Sequence, residues 1–196
     1  MKHVIVWQCR RAILSASVKW RVVLAAVRKA GRSSLLLLAP LLLAAAAASG
    51  AQPYRLLGQS APDFTLKATS GTNFRLAEYR GQVVLLTFWG SHCSSCGEQL
   101  AAIGRLLGTY QSAGLAVLGV DVDDDVAEAA RYAVAHPVNY PMLLDPDKQV
   151  ARNYRVDNLP MLVLVDRGGT VRWAARDFKS GSELRVQQKV RELLDE

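Results

Sequence analysis

The chain has 196 residues, of which 51% are apolar and 21% charged, with 24 lysines and arginines against 17 acidic residues. Eight of the basic residues and none of the acidic ones lie in residues 1–50, so the rest of the chain is nearly neutral. This distribution excludes a basic nucleic-acid footprint on the globular part, and 14 glycines with 3 cysteines exclude collagen-like and disulfide-scaffold proteins.

The N-terminal segment has the three parts of an export signal. A basic stretch precedes the apolar run at residues 35–48, and small residues follow at 49–51. We expect residues 1–51 to form a signal peptide, or a membrane anchor through residues 33–51, and residues 52–196 to form one domain. Because the positive flank stays in the cytoplasm, this domain is expected to be extracytoplasmic, in the periplasm or on the outer face of the inner membrane.

Strands and helices alternate along the domain. The run Val83–Trp89 is apolar and rich in β-branched residues, which indicates a buried parallel strand. After it, apolar residues recur at helical spacing from Leu100 to Tyr110, and Gly114 ends the pattern. The remaining predicted elements are a small hairpin at 63–66 and 73–76, strands at 115–120, 140–144, 161–165 and 170–173, and helices at 124–136, 148–154 and 182–194. We therefore expect an α/β fold with a mixed central sheet flanked by helices.

Cys93 and Cys96, which are separated by two serines, lie where the first buried strand gives way to a helix. Unpaired backbone N–H groups at the start of a helix stabilise a thiolate, which favours Cys93 as the nucleophile and Cys96, one turn further, as a buried resolving thiol. A disulfide that closes so small a loop stabilises the fold little. We therefore expect a redox role, in which the Cys93–Cys96 disulfide carries the electrons and no cofactor is needed.

Metal binding by the same cysteines is the alternative from another class of protein. Structural zinc commonly needs four Cys or His ligands, and only two histidines accompany the pair outside the N-terminal segment. A copper-delivery protein would use Cys93, Cys96 and His92. Such carriers usually supply further soft ligands, and Met142 and Met161 are the only methionines in the exported part. We therefore predict no metal site.

Four aspartates follow the second predicted strand, at positions 121, 123, 124 and 125. Their spacing is not that of an EF-hand calcium loop, and the distal glutamate of such a loop is absent. We interpret them as the exit of a strand followed by acidic capping of the next helix.

Several features occur in a characteristic order: the N-terminal segment, Ala61–Phe64, Phe88-Trp89 with the cysteine pair, an insertion between Asp121 and Tyr154, and Leu159-Pro160 before an apolar strand and Asp166–Gly169. Together they resemble the extracytoplasmic thioredoxin-fold oxidoreductases of the TlpA/ResA kind, which include the cytochrome c maturation thioredoxins. The resemblance covers about residues 55–195. It implies a thioredoxin-like fold with an N-terminal β-hairpin extension and a central βα insertion.

The resemblance also implies a substrate site. Pro160 corresponds to the family's cis-proline beside the cysteine pair, and it leaves the backbone of Leu159 free to bond an extended peptide. Trp89 and His92 are further candidate substrate contacts. The implied activity is reduction of disulfides in exported cysteine-containing proteins, such as apocytochromes or copper-site proteins, with a membrane thiol-electron donor that regenerates the dithiol. A disulfide oxidase, which runs the same steps in reverse, is an alternative because the sequence does not fix the direction.

The chain departs from the family pattern around the cysteines. His92 stands where family members usually have a large residue, and its imidazole either stabilises the Cys93 thiolate or is an exposed histidine at a loop tip. Gln99 replaces a glutamate that the family often has, and Thr87 stands where many thioredoxins keep a buried acid. No carboxylate is therefore evident in the sequence as the base for Cys96.

Overall fold

The computed structural model describes residues 54–179 and 181–196, so the predicted export segment at 1–51 lies outside the described residues. Within them, no helix is both long enough and apolar enough to cross a membrane. The strands are β1 (Thr65–Ala68), β2 (Asn73–Arg75), β3 (Val83–Trp89), β4 (Leu115–Asp121), β5 (Met142–Leu144), β6 (Met161–Val165) and β7 (Val171–Ala175). The helices are α1 (Cys96–Tyr110), α2 (Val126–Ala135), α3 (Gln149–Asn153) and α4 (Ser182–Leu194), with short 3-10 turns at Leu76–Tyr79 and Gln111–Ala113.

The strands form one mixed seven-stranded sheet in the order β2-β1-β5-β4-β3-β6-β7. The three neighbouring strands β3, β4 and β5 are parallel, and the other pairings are antiparallel. Helices α1 and α2 connect the parallel strands, as such crossovers require. The expected thioredoxin-like fold, with its N-terminal hairpin and central insertion, is therefore confirmed.

The sheet is buried on both faces. Every residue of β3 and of β4 is buried, which explains why both strands are apolar without alternation. Helices α1, α2 and α4 pack on one face, and α3 packs with the segment before β1 on the other. Because β3 and β4 are central, the carboxyl ends of these strands form a rigid support for the loops that follow them.

Most predicted elements are found within one to three residues of their expected bounds. Helix α2 begins at Val126 because the Asp125 side chain accepts a hydrogen bond of 2.8 Å from the backbone N–H of Ala127. Strand β5 begins at Met142, two residues later than expected, after Pro141, which has no N–H to donate to a ladder. The predicted helix at 182–194 has the expected limits.

The chain before β1 crosses the whole sheet. Next to β7, the N–H of Gly58 donates to the carbonyl of Val171 at 2.8 Å, and the N–H of Val171 donates to Gln59 at 2.9 Å. The same stretch then reaches the opposite side, where β1 pairs with β5. Residues 58–75 therefore contribute to both edges of one sheet.

Candidate active site

The redox cysteines lie in the loop that joins β3 to α1. Cys93 and Cys96 form a disulfide with their Cα atoms 5.4 Å apart. The loop turns tightly, since the N–H of Cys93 donates to Gly90 and the N–H of Cys96 donates to Cys93, both at 3.2 Å. Cys96 is the first residue of α1, and Cys93 lies just ahead of the helix. The structure thus brings the two sulfurs together where the sequence predicts a redox pair.

The two sulfurs differ in their access to solvent. Cys96 is fully buried, whereas Cys93 is half-buried and lines a surface groove. The hydroxyl oxygen of Ser95 lies 4.0 Å from the Cys93 sulfur. An incoming thiol or disulfide can therefore approach Cys93 but not Cys96, which is the asymmetry expected for an attacking and a resolving cysteine.

The groove beside Cys93 has a volume of about 700 Å³. One wall contains Leu159, which precedes Pro160 through a cis peptide bond, as the family resemblance implies. Gly90 forms part of the floor, and a Cβ there would lie 3.2 Å from Leu159 Cδ1 and 3.0 Å from an Asp123 carboxylate oxygen. The charged side chains that line the groove are of both signs, Asp123, Lys148, Arg152 and Asp157, and the His92 imidazole lies at its edge.

The backbone N–H of Leu159 is bonded by a neighbouring side chain and not by the sheet. Its N–H already donates to the Asn158 side-chain oxygen at 3.0 Å. The Leu159 N–H thus lies outside the sheet ladder, as expected from the proline at position 160, but a local side-chain bond occupies it. An extended peptide that used the Leu159 N–H would first have to displace the Asn158 side chain.

His92 is an exposed residue of the loop, and its side chain is 82% accessible. Its Nδ1 lies 3.0 Å from the Ser91 hydroxyl, and its Nε2 lies 3.7 Å from a Glu128 carboxylate oxygen on α2. Both ring nitrogens therefore have neighbours other than the Cys93 sulfur. The structure therefore agrees with the interpretation of His92 as an exposed histidine at the tip of a loop.

Trp89 is completely buried, so the expectation that it contacts substrate is wrong. Its ring stacks on Tyr132 of α2 at 5.2 Å between centroids, and His136 stacks on Tyr132 at 4.0 Å. Helix α2 thus packs against the end of β3 through an aromatic column. Gly97 is needed beside this column, because a Cβ there would lie 2.7 Å from the His136 ring.

The two positions at which the sequence lacks the expected acids are joined to each other. The Thr87 hydroxyl donates to the Gln99 side-chain oxygen at 3.0 Å, and both residues are fully buried. The Gln99 Nε2 has no hydrogen-bond partner. An uncharged pair therefore occupies the space beneath the cysteines.

The four aspartates after β4 have four different surroundings. Asp125 caps α2 as predicted, and Asp124 forms an exposed ion pair of 2.8 Å with Lys148. Asp123 accepts a hydrogen bond of 2.8 Å from the N–H of Ser91, which ties it to the cysteine loop. Asp121 is only 1% exposed, and one of its carboxylate oxygens has no partner. The interpretation as a strand exit followed by helix capping therefore holds for Asp121, the last residue of β4, and for Asp125, but it does not account for the burial of Asp121 or for the bond from Asp123 to the cysteine loop.

The electrostatic consequence is greatest at Asp121. Burial, and then the nearby Asp123 carboxylate, raise the pKa of Asp121 to about 8. The sequence contains a signal for this pair, an Asp-Val-Asp at the carboxyl end of a buried parallel strand, where functional side chains commonly lie. Sequence reasoning assigned the acidic run to a strand exit and helix capping, and it did not single out this pair as a site.

Comparison with known proteins agrees with this geometry. The model of the AhpC/TSA family matches residues 57–174, which contain β1 to β6, nearly all of β7 and both redox cysteines. The chain belongs to the AhpC/TSA family. The matched residues also contain the cis-proline and the groove beside Cys93.

Two relatives of this AhpC/TSA family member are named thiol-disulfide oxidoreductase ResA. The protein of Geobacillus thermodenitrificans is 34% identical over 116 residues, which cover 59% of this chain and 67% of the relative. The protein of Bacillus subtilis is 31% identical over 114 residues, which cover 58% of this chain and 64% of the relative. The alignments thus span about two thirds of the relatives' length.

Solved structures show the same similarity. A candidate thiol:disulfide interchange protein DsbE from Chlorobium tepidum superimposes with a TM-score of 0.68 at 28% identity, covering 70% of this chain and 97% of that chain. A solution structure described as a candidate protein disulfide isomerase, from Bacteroides thetaiotaomicron, gives a TM-score of 0.66 at 29% identity, with 71% and 91% covered. This AhpC/TSA family member is therefore a thiol-disulfide oxidoreductase of the ResA/DsbE type.

Proposed function

We propose that the protein reduces disulfides in cysteine-containing client proteins outside the cytoplasm, with Cys93 as the nucleophile and Cys96 as the resolving thiol. The observation that carries the proposal is the unequal exposure of the two sulfurs, since Cys93 lines the groove and Cys96 is fully buried. Only the accessible sulfur can meet a disulfide on another protein.

In this mechanism the Cys93 thiolate attacks a client disulfide and forms a mixed disulfide, and the first client sulfur leaves as a thiolate. Cys96 then attacks the Cys93 sulfur, which forms the Cys93–Cys96 disulfide and releases the second client thiolate. Two electrons pass from the cysteine pair to the client. The cysteine pair alone carries these electrons, and a membrane thiol-electron donor would restore the dithiol by the same exchange.

The groove beside the cis-proline supports binding of an extended client segment. Its walls include Leu159, and its volume of about 700 Å³ accommodates several residues of a peptide. Export rests on the N-terminal sequence pattern, in which a basic stretch precedes an apolar run. Exported cysteine-containing proteins, such as apocytochromes or copper-site proteins, are the clients that this setting favours.

Two single-cysteine variants test the roles of the sulfurs. In a full chain carrying Cys9→Ser, Cys96→Ser is expected to accumulate a mixed disulfide with an oxidised peptide, whereas Cys93→Ser is expected to form none. Mass spectrometry of the trapped species gives the readout. Equal trapping by both variants, or trapping by Cys93→Ser alone, would contradict the assigned roles.

The reduction potential of the Cys93–Cys96 pair tests the direction of electron transfer between the protein and its clients. It is measured by thiol trapping across a series of redox buffers, with metal analysis of the same sample. A strongly negative potential without bound metal is expected for a reductase. A potential near that of strong disulfide oxidants would overturn the direction, and stoichiometric copper would overturn the enzymatic class.

A further inference from the structure

Three buried side-chain atoms in the described part of the chain have no hydrogen-bond partner: Trp89 Nε1, Gln99 Nε2 and Asp121 Oδ1. The three residues are at most 1% exposed. An unpartnered buried polar group destabilises the fold, and most buried polar atoms in proteins are bonded to protein or to ordered water. Two of these atoms are donors and the third is an acceptor, so they are chemically complementary.

These atoms lie together on one face of the sheet. In the parallel β3–β4 ladder Thr87 pairs with Gly119 and Trp89 pairs with Asp121. Alternate residues of a strand share a face, so the side chains of Thr87, Trp89 and Asp121 point to the same side. The indole nitrogen of Trp89 would lie 3.4 Å from a Cβ at Gly119. Gln99 is held near the same point of the sheet, because it is bonded to Thr87, the residue that pairs with Gly119.

The redox helix covers this face. Cys96 belongs to the same buried cluster as Trp89, and Gln99 is one helical turn beyond Cys96 in α1. The unpartnered atoms therefore lie on the face of the sheet that α1 and its buried Cys96 cover. A water bound among two donors and one acceptor would have the three or so hydrogen bonds that a buried water usually makes.

We propose that Asp121 is the proton acceptor for the Cys96 thiol, through buried water held by Trp89 Nε1, Gln99 Nε2 and the free Asp121 oxygen. The inference rests on the proposed function, since it concerns the resolving step. In that step the Cys96 thiol transfers its proton through the water to the Asp121 carboxylate. The resulting thiolate attacks Cys93, the Cys93–Cys96 bond forms, and the client sulfur leaves with the electron pair of the broken mixed disulfide.

The electrostatics of the site favour this transfer. Burial, with a further contribution from Asp123, raises the pKa of Asp121 to about 8, close to the value of about 8.5 for a free thiol. The pKa of Asp121 is thus much closer to that of a thiol than the pKa of an ordinary aspartate is, which lowers the free-energy cost of moving the proton. The other titratable side chains on the elements packed here are Tyr132 and His136 on α2, Tyr140 ahead of β5 and Asp145 after it.

Of these neighbours, Tyr132, Tyr140 and Asp145 do not compete for the role, and the His136 Nδ1 lies 3.1 Å from the Tyr132 carbonyl oxygen. Burial raises the pKa of Tyr132 and that of Tyr140, so both phenols stay neutral. The Asp145 carboxylate accepts hydrogen bonds from the N–H groups of Val150 and Ala151 at 3.2 and 2.8 Å, so both of its oxygens are used in capping α3.

The test separates the two chemical steps. The reduced full chain, with Cys9→Ser, is mixed with dithionitrobenzoate in a stopped-flow instrument, and release of thionitrobenzoate is followed between about pH 5 and about pH 9. The first phase, attack by Cys93, depends on reagent concentration. The second, attack by Cys96 on the mixed disulfide, does not. Asp121→Asn is expected to slow the second phase at least about tenfold at neutral pH and to shift its pH profile upward, with the first phase unchanged.

Asp145→Asn is the matched control, a second buried aspartate that caps a helix instead, and its second phase should stay within about twofold of the parent. If the second phase of Asp121→Asn had the same rate and pH profile as that of the parent, the role of Asp121 would be overturned, but the proposed function would stand. Absence of either phase in the parent would instead overturn the proposed function. Carboxyl ¹³C titration of the parent protein gives a second test that needs no variant: the Asp121 pKa should change on reduction of the disulfide, and a constant value would also overturn the inference.

Discussion

Asp121 pairs directly with Trp89 across the parallel β3–β4 ladder, and Trp89 is the last residue of β3 before the loop that carries Cys93. A buried carboxyl group thus lies beside the redox loop, although Thr87 and Gln99 occupy the positions where acids were expected. This arrangement keeps an ionisable group on the sulfur side of the sheet without placing it in the groove. Its consequences for stability can be measured separately from those for catalysis.

Stability should depend on pH through Asp121. The pKa of this carboxyl is about 8 in the folded protein, whereas an ordinary aspartate in the unfolded chain titrates near 3.9. As pH rises, the Asp121 carboxyl loses its proton at a lower pH in the unfolded state than in the folded state. The contribution of this group to the free energy of unfolding therefore falls between about pH 4 and about pH 8. Asp121→Asn removes this loss, so the oxidised variant should gain about 1–4 kcal/mol relative to wild type at pH 8, but little near pH 4.

Urea unfolding at several pH values measures this difference. Asp145→Asn serves as the control, because its carboxylate caps a helix and its removal should destabilise the protein. A stability difference between Asp121→Asn and wild type that is the same at every pH would contradict the prediction.

The effects of changing Thr87 and Gln99 on the free energy of unfolding should be strongly coupled, because the two side chains share a buried hydrogen bond. Thr87→Val leaves the Gln99 oxygen without its donor in a fully buried site, so a loss of about 1–3 kcal/mol is expected. Thr87→Val combined with Gln99→Met replaces both partners by apolar groups and should recover most of that loss. Urea midpoints at constant m-value give the free energies. A double variant whose loss equals the sum of the two single losses would show that the bond contributes nothing.

Gly97 should tolerate alanine only when His136 is absent. A Cβ at position 97 would lie 2.7 and 2.8 Å from two atoms of the His136 ring, so Gly97→Ala must displace the ring from Tyr132 and should cost about 1–3 kcal/mol. In a His136→Ala background the same change should be neutral or stabilise by up to about 1 kcal/mol, because alanine favours the helix. A double-mutant cycle measures the reversal, and equal costs in both backgrounds would exclude the contact as the cause.

Asn158 should weaken client binding. Its side-chain oxygen holds the Leu159 N–H, which an extended peptide beside the cis-proline would need. Asn158→Ala frees this donor and is expected to lower KM for a peptide disulfide about two- to fivefold without changing kcat. Asn158→Asp keeps an acceptor in place and should leave KM near that of wild type. If both variants had the same KM, the Asn158 oxygen would not compete with the peptide.

Much of the fold could be predicted because its signals are local. The apolar run Val83–Trp89 and the helical spacing after Cys96 are each contained in one short stretch of sequence. The unequal burial of the cysteines also follows from sequence, since a residue at a strand-to-helix turn is more exposed than one in the helix. The structure agrees on each point, with Cys93 half-buried and Cys96 buried.

The surroundings of individual polar groups could not be predicted in the same way. Asp121 and Asp125 belong to one acidic run, yet one is buried against Trp89 and the other caps α2 in solvent. The difference depends on where β3 and its loop lie, which involves residues about thirty positions away in the chain. Trp89 was misjudged for a similar reason, because an apolar run does not reveal that Tyr132 covers its last residue.

The path of the chain at the two edges of the sheet affects whether copies of the protein can associate through their edge strands. An uncovered outer strand can pair with a strand of another copy and begin aggregation. Here the backbone of residues 58–61 forms hydrogen bonds with the start of β7, which is one edge strand. The other edge strand, β2, has only three residues. A single proteolytic cut between Ala61 and Thr65 is therefore expected to loosen the contacts at both edges and to leave strand edges that favour pairing with another copy.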